Sequence, residues 1–117
     1  MRTWMKTGLD LVLVVVFAII GRASHGEALT PLGILTTAWP FLVAGAAGSV
    51  LACLVLRLGW LKEGAMVWAT TAIVGLLLRG ISGGGMAVAF MIVATTTLAV
   101  LLIGWRLVAF LVRRPKA

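Results

Sequence analysis

Apolar residues in this chain come in four long stretches separated by short polar breaks, not in the two-residue alternation of a half-buried strand. The stretches run over about residues 4–22, 32–56, 60–78 and 86–111. Each supplies the roughly 20 residues that, at about 1.5 Å rise, cover a hydrocarbon core about 30 Å thick. Lipid offers no water to an open sheet edge, so the pattern predicts four transmembrane helices. Together they use most of residues 1–117, which predicts a single integral membrane domain.

The breaks set the topology. His25-Gly26-Glu27-Ala28-Leu29-Thr30-Pro31 joins the first two spans, Arg57-Leu58-Gly59 the next two, and Ser82-Gly83-Gly84-Gly85 the last two. Links this short make neighbouring helices antiparallel, so the expected fold class is all-α, an up-down four-helix bundle. Arg2, Lys6, Arg57, Lys62, Arg106, Arg113, Arg114 and Lys116 fall on one side, against Arg22 and Arg79 on the other. That positive-inside bias puts both termini in the cytoplasm, with Trp4, Trp60 and Trp105 in an inner aromatic belt. Arg2 and Lys6 before the run Leu11–Ile20 also resemble a signal peptide. Asp10 and the poor cleavage site around Ser24 argue against that reading.

Composition agrees. The chain is 62% hydrophobic and 11% charged, far from the about 25% charge of soluble domains. Its formal net charge of +7 reads as topology and attraction to membrane lipids. No basic helix or aromatic platform stands outside the apolar runs, so nucleic acid is not an expected partner. One cysteine, Cys53, and one histidine, His25, build neither an intramolecular disulfide nor a zinc site. A lone histidine gives a haem one axial ligand unless a second copy supplies another, and no cofactor is expected.

Three groups of polar residues stand out. Asp10 lies six residues beyond Trp4, about 9 Å deeper at helical rise. A charge at that depth is expected to pair, and Arg57 and Arg106 approach the same leaflet, so these three form an expected intramembrane charge cluster. The alternative is that Asp10 couples transport to protons or cations. Arg22, His25 and Arg79 end outward-running spans and are expected to converge on an anion, binding it more tightly as His25 gains charge. The competing reading is that each arginine reaches lipid phosphates independently. Thr36, Thr37, Thr70, Thr71, Thr95, Thr96 and Thr97 lie within spans two to four as an expected polar interior. They otherwise satisfy backbone freed by Pro40, which favours a kink near Thr36.

Two further patterns are weaker. Ala44, Gly48 and Ala52, beside Gly45, Ser49 and Cys53, make a small-residue stripe suited to close helix packing within the bundle or between subunits. Phe17–Arg22 and Val74–Arg79 resemble each other, as an internal duplication of parallel type would produce.

These residues carry a family resemblance over nearly the whole chain. Asp10, Phe17, Gly21-Arg22-x-Ser24-His25, Pro40-Phe41, Arg57, Trp68, Arg79, Phe90, Ala94-Thr95 and Gly104-Trp105-Arg106 together resemble domain-of-unknown-function family 3054. The resemblance implies a small four-helix integral protein of a prokaryotic plasma membrane, and it implies no activity. The four-span plan is also similar to that of small multidrug-resistance exporters, which use a first-helix carboxylate. Asp10 is only loosely analogous, and their helix-one motif is missing here.

The expected function is a transporter or flippase-like protein that binds an anionic small molecule or lipid headgroup at its outer face. A homo-oligomer would give so short a chain room for a path. The alternative is a non-catalytic accessory subunit of a larger membrane complex. Catalysis has less support: Ser24 and His25 are adjacent in sequence, but no second motif or acid pair completes an active site.

Overall fold

The computed structural model describes residues 2–24, 26–83 and 87–113. His25, Gly84, Gly85, Met86, Arg114 and Lys116, which enter the expectations above, lie outside the described residues. The described residues form four helices and no strand: α1 (Thr3–Ser24), α2 (Pro31–Val50), α3 (Trp60–Ile81) and α4 (Val88–Arg113). A π-helical turn, Leu51–Val55, continues α2. All four helices are long and apolar enough to cross a membrane.

Local chemistry explains where they begin and end. Thr30 accepts the Gly33 N–H at 3.0 Å and Pro31 opens α2, so the helix starts with a side-chain cap and a residue that needs no amide partner. The other end of this span is less regular. Leu56 N–H reaches Leu51 C=O and Leu58 N–H reaches Ala52 C=O, which widens the last turn. Arg57 closes it at φ 50°, a left-handed position usually given to glycine.

Contacts across the molecule fix which helix ends meet. Lys6 and Asp10 of α1 reach Glu63 at the start of α3 and Arg106 near the end of α4. At the opposite end, Arg22 of α1 reaches Thr37 of α2, and Arg79 of α3 lies over Phe90 of α4. The most extensive helix pairing is α2 with α3, and α1 with α4 is slighter.

Each helix buries a narrow stripe at helical spacing. In α1 it is Asp10, Val14, Phe17 and Ala18; in α4 it is Ala94, Leu98, Leu102 and Arg106. The core between them alternates large and small residues. Phe41 lies directly against Gly75, where a β-carbon would collide with its ring, and Phe17 meets Phe41 edge-on at 5.1 Å. The small-residue stripe of α2 is spent within this chain. Ala44, Gly48 and Ala52 are buried, and a β-carbon on Gly48 would lie 2.9 Å from Thr70 Cβ.

Candidate functional site

The first polar site is a four-residue ion cluster at the Asp10 end. Arg106 is fully buried, and all five of its guanidinium N–H groups find acceptors. Nη1 and Nη2 donate to the two oxygens of Asp10 at 2.7 and 2.8 Å, the end-on fork of a bidentate pair. Nε and Nη2 donate to Glu63 Oε1 at 3.3 and 3.0 Å, and Nη1 also donates to Leu102 C=O. Lys6 Nζ meets the remaining Glu63 oxygen at 2.7 Å. Two cations and two carboxylates therefore close a cluster with no formal net charge.

Tryptophans wall the cluster. Trp105 Nε1 donates to Asp10 Oδ1 at 2.8 Å, and Trp60 Nε1 donates to Arg106 C=O at 2.7 Å. Their rings pack edge-to-face at 5.4 Å, with Lys6 Nζ 5.7 Å from the Trp60 ring. Trp60 and Trp105 thus do more than mark an interface, whereas Trp4 is exposed. The Cys53 thiol, held in the π-helical turn, adjoins Glu63. The backbone makes room at Gly64, where a β-carbon would lie 2.6 Å from Arg106 Cδ.

This composition corrects one expected member. Arg57 is exposed in the left-handed turn and does not reach Asp10, because the chain has already left the helix there. Glu63 holds that place instead. It opens α3 next to Lys62, where it reads as an acidic first-turn residue, yet it is 2% exposed. Its register was the available signal: Glu63, Val67 and Thr71 are spaced by four, on the face that α3 buries.

The second site lies at the other end. A cavity of about 460 Å³ is lined by residues of all four helices and two connections. Arg22 and Arg79 both line it, so the last turns of α1 and α3 bring two guanidinium groups to one space. Arg22 donates from Nε to Ala28 C=O at 2.7 Å and from Nη1 to Thr37 Oγ1 at 3.1 Å, with Glu27 Oε2 3.3 Å from Nη1. Gly33 gives it passage, since a β-carbon there would lie 2.6 Å from Nη2. The Arg79 guanidinium lies 4.0 Å over the Phe90 ring. Phe17, Trp39 and Pro40 add apolar wall, and Glu27 and Ser82 add polar rim. His25 lies outside the described residues.

The threonines do not form one polar interior. Thr36 and Thr96 are exposed on the outside of the helices; Thr36 Oγ1 donates to Leu32 C=O at 2.8 Å. Thr37 belongs to the cavity, and Thr70 is half-buried with its hydroxyl 3.7 Å from Met66 Sδ. Thr95 contributes its carbonyl, which accepts from Trp68 Nε1 at 2.9 Å. Only Thr71 of the seven is fully buried; Thr97 is half-buried. Its Oγ1 and Ser49 Oγ are buried without a hydrogen-bond partner among protein atoms, between the two sites along α2 and α3. The spread follows from packing, because a threonine run within one helix points in several directions at about 100° per residue.

Comparison with known proteins decides the family. Residues 7–109 match the family model described as "Protein of unknown function (DUF3054)". This chain belongs to that family. The matched stretch includes Asp10, Arg22, Glu27, Glu63, Arg79 and Arg106, so the cavity arginines and every member of the ion cluster but Lys6 fall within the family region of this DUF3054 protein. No curated protein and no solved structure matches the chain.

Proposed function

We propose that this DUF3054 protein is a plasma-membrane protein of transporter or flippase-like type, whose cavity between Arg22 and Arg79 binds the anionic part of a small molecule or lipid headgroup. Its helices would run up and down with both termini cytoplasmic, so the cavity opens at the outer face. The short links and the Lys and Arg tally support that orientation. The observation that carries the reading is the cavity itself. Two arginines 57 residues apart in sequence, on separate helices, line one space large enough for a small ligand.

The two ends also differ in the way alternating access requires. The outer end is open to a cavity, and the inner end is tied by the Lys6–Glu63–Arg106–Asp10 cluster. Between them Phe17 and Phe41 close the core, with Val14 and Val67 fully buried below. Translocation would then mean opening the ion cluster and the aromatic pair, as a second conformation of the bundle. A second copy, packed on exposed apolar helix faces, would widen the path.

Purified protein in proteoliposomes tests this. Native mass spectrometry against phosphatidylglycerol should show retained lipid in the wild type and about tenfold less in Arg79→Gln, as expected for loss of a charge-assisted anion contact. A headgroup-labelled phosphatidylglycerol flip assay should lose rate in the same variant. Unchanged retention in both Arg79→Gln and Arg22→Gln would overturn the binding reading. Co-purification of large subunits in mild detergent, with no flip activity in liposomes, would favour an accessory subunit.

A further inference from the structure

We propose that the group taken by the cavity is a zwitterion, a phosphate ester carrying a primary ammonium, as in phosphoethanolamine on a phospholipid or free in solution. The inference rests on the anion-binding reading above and adds the cation. The observation behind it is Glu27. A carboxylate 3.3 Å from Arg22, lining the same cavity, weakens the field that a purely anionic ligand would feel. Among the described residues the wall carries two cations, Arg22 and Arg79, and one anion, Glu27. A ligand bearing its own cation turns the Glu27 repulsion into an attraction, and the charges then complement each other pairwise.

The order of depth fits the same chemistry. Arg22 and Arg79 sit in the last turns of α1 and α3, whereas Glu27 follows in the connection beyond α1. The Arg22 side chain is 14% exposed and that of Glu27 is 53%. In a phospholipid the phosphate likewise lies nearer the hydrocarbon and the amine nearer water. Guanidinium groups at the inner level match the phosphate, and the carboxylate at the outer level matches the ammonium.

The aromatic residues argue for a primary amine over a quaternary one. A quaternary ammonium cannot donate hydrogen bonds and relies on several aromatic faces. Of the three aromatic rings that line the cavity among the described residues, Phe90 is covered by the Arg79 guanidinium at 4.0 Å and Phe17 is packed edge-on against Phe41, which leaves Trp39 and no cage of several rings. A primary ammonium has three N–H donors for which the Glu27 carboxylate is the natural acceptor.

The test is competitive binding by the full-length protein, read by native mass spectrometry, with phosphatidylethanolamine and phosphatidylglycerol of matched acyl chains. The wild type should prefer the ethanolamine lipid by about fivefold, the upper range for a half-exposed ion pair. Glu27→Gln should bring the two lipids to parity while keeping both bound, and Arg79→Gln should weaken both about tenfold. Displacement of bound lipid by free phosphoethanolamine but not inorganic phosphate would support a soluble source of the same group. Displacement by neither would support the lipid. Parity or a glycerol preference in the wild type would overturn the zwitterion and leave the anion reading standing. Unchanged binding of both lipids in both Arg79→Gln and Arg22→Gln would instead overturn the anion reading.

Discussion

Gly64 and Arg106 are fitted to each other: a β-carbon on Gly64 would lie 2.6 Å from Arg106 Cδ. The arginine stem crosses α3 at that glycine, and its guanidinium then reaches Asp10 and Glu63 with every N–H used. Gly64→Ala should therefore destabilise the protein by about 1–3 kcal/mol, because a stem fixed at its far end by five hydrogen bonds has no slack to move aside. Thermal unfolding in detergent measures it. A neutral result would show that the guanidinium is not held as described.

Removing the arginine should cost more. Arg106→Leu leaves Asp10 with no cation and Glu63 with Lys6 alone, and should destabilise by about 3–5 kcal/mol. Replacing Asp10, Glu63 and Arg106 together with leucine should be less harmful than the single change, because no uncompensated buried carboxylate remains in the core. If the triple variant proves the less stable of the two, the cluster contributes net stability beyond mutual compensation.

Thr71 makes the opposite kind of prediction. Its hydroxyl is buried without a protein partner, so Thr71→Val keeps the shape and removes a polar atom that gains nothing from folding. Stability should hold or rise by up to about 1 kcal/mol, read by the same unfolding experiment. A clear loss would mean that the hydroxyl is hydrogen-bonded through solvent.

Arg57 holds φ at 50°, where a β-carbon is unfavourable. Arg57→Gly should stabilise the α2–α3 connection by about 0.5–1 kcal/mol. Orientation should survive, since the remaining basic residues on that side still outnumber Arg22 and Arg79. Destabilisation would assign the Arg57 side chain a contact worth more than the strain.

Orientation itself is open to labelling. In a Cys53→Ser background, Ala28→Cys should react with an impermeant maleimide added outside cells, and Lys62→Cys should react only after permeabilisation. Both positions are exposed on connections or helix starts at opposite ends of the bundle. The reverse pattern would invert the topology.

Much of the fold was legible in the sequence because lipid restricts the answer to helices. Four apolar runs and their short breaks locate every described helix to within three residues at most boundaries. The expected meeting of Asp10 with a basic partner is visible for a related reason, the cost of a lone charge in hydrocarbon. Choosing between Arg57 and Arg106 was not, since that depends on where α2 ends. The wide turn at Leu51–Val55 moves Arg57 off the helix face, and hydropathy has no term for it. Glu63 was hidden by its place in a first turn, where acids are ordinary. Arg22 and Arg79 could be matched in depth by counting residues, while Glu27 beside them depends on the fold of the connection.

The closed charge arithmetic of the Asp10–Arg106 cluster has a consequence for how the protein is made. Asp10 emerges first from the ribosome and Glu63 follows, but Arg106, which satisfies both, comes in the last helix. Before that helix, the one cation among the described residues that pairs with either acid in the folded structure is Lys6. The pairing of both acids is thus completed only when the fourth helix packs against the first and third. Chains that stall or are cut before Arg106 would expose two unmatched carboxylates, a built-in mark by which membrane quality control could distinguish unfinished copies from finished ones.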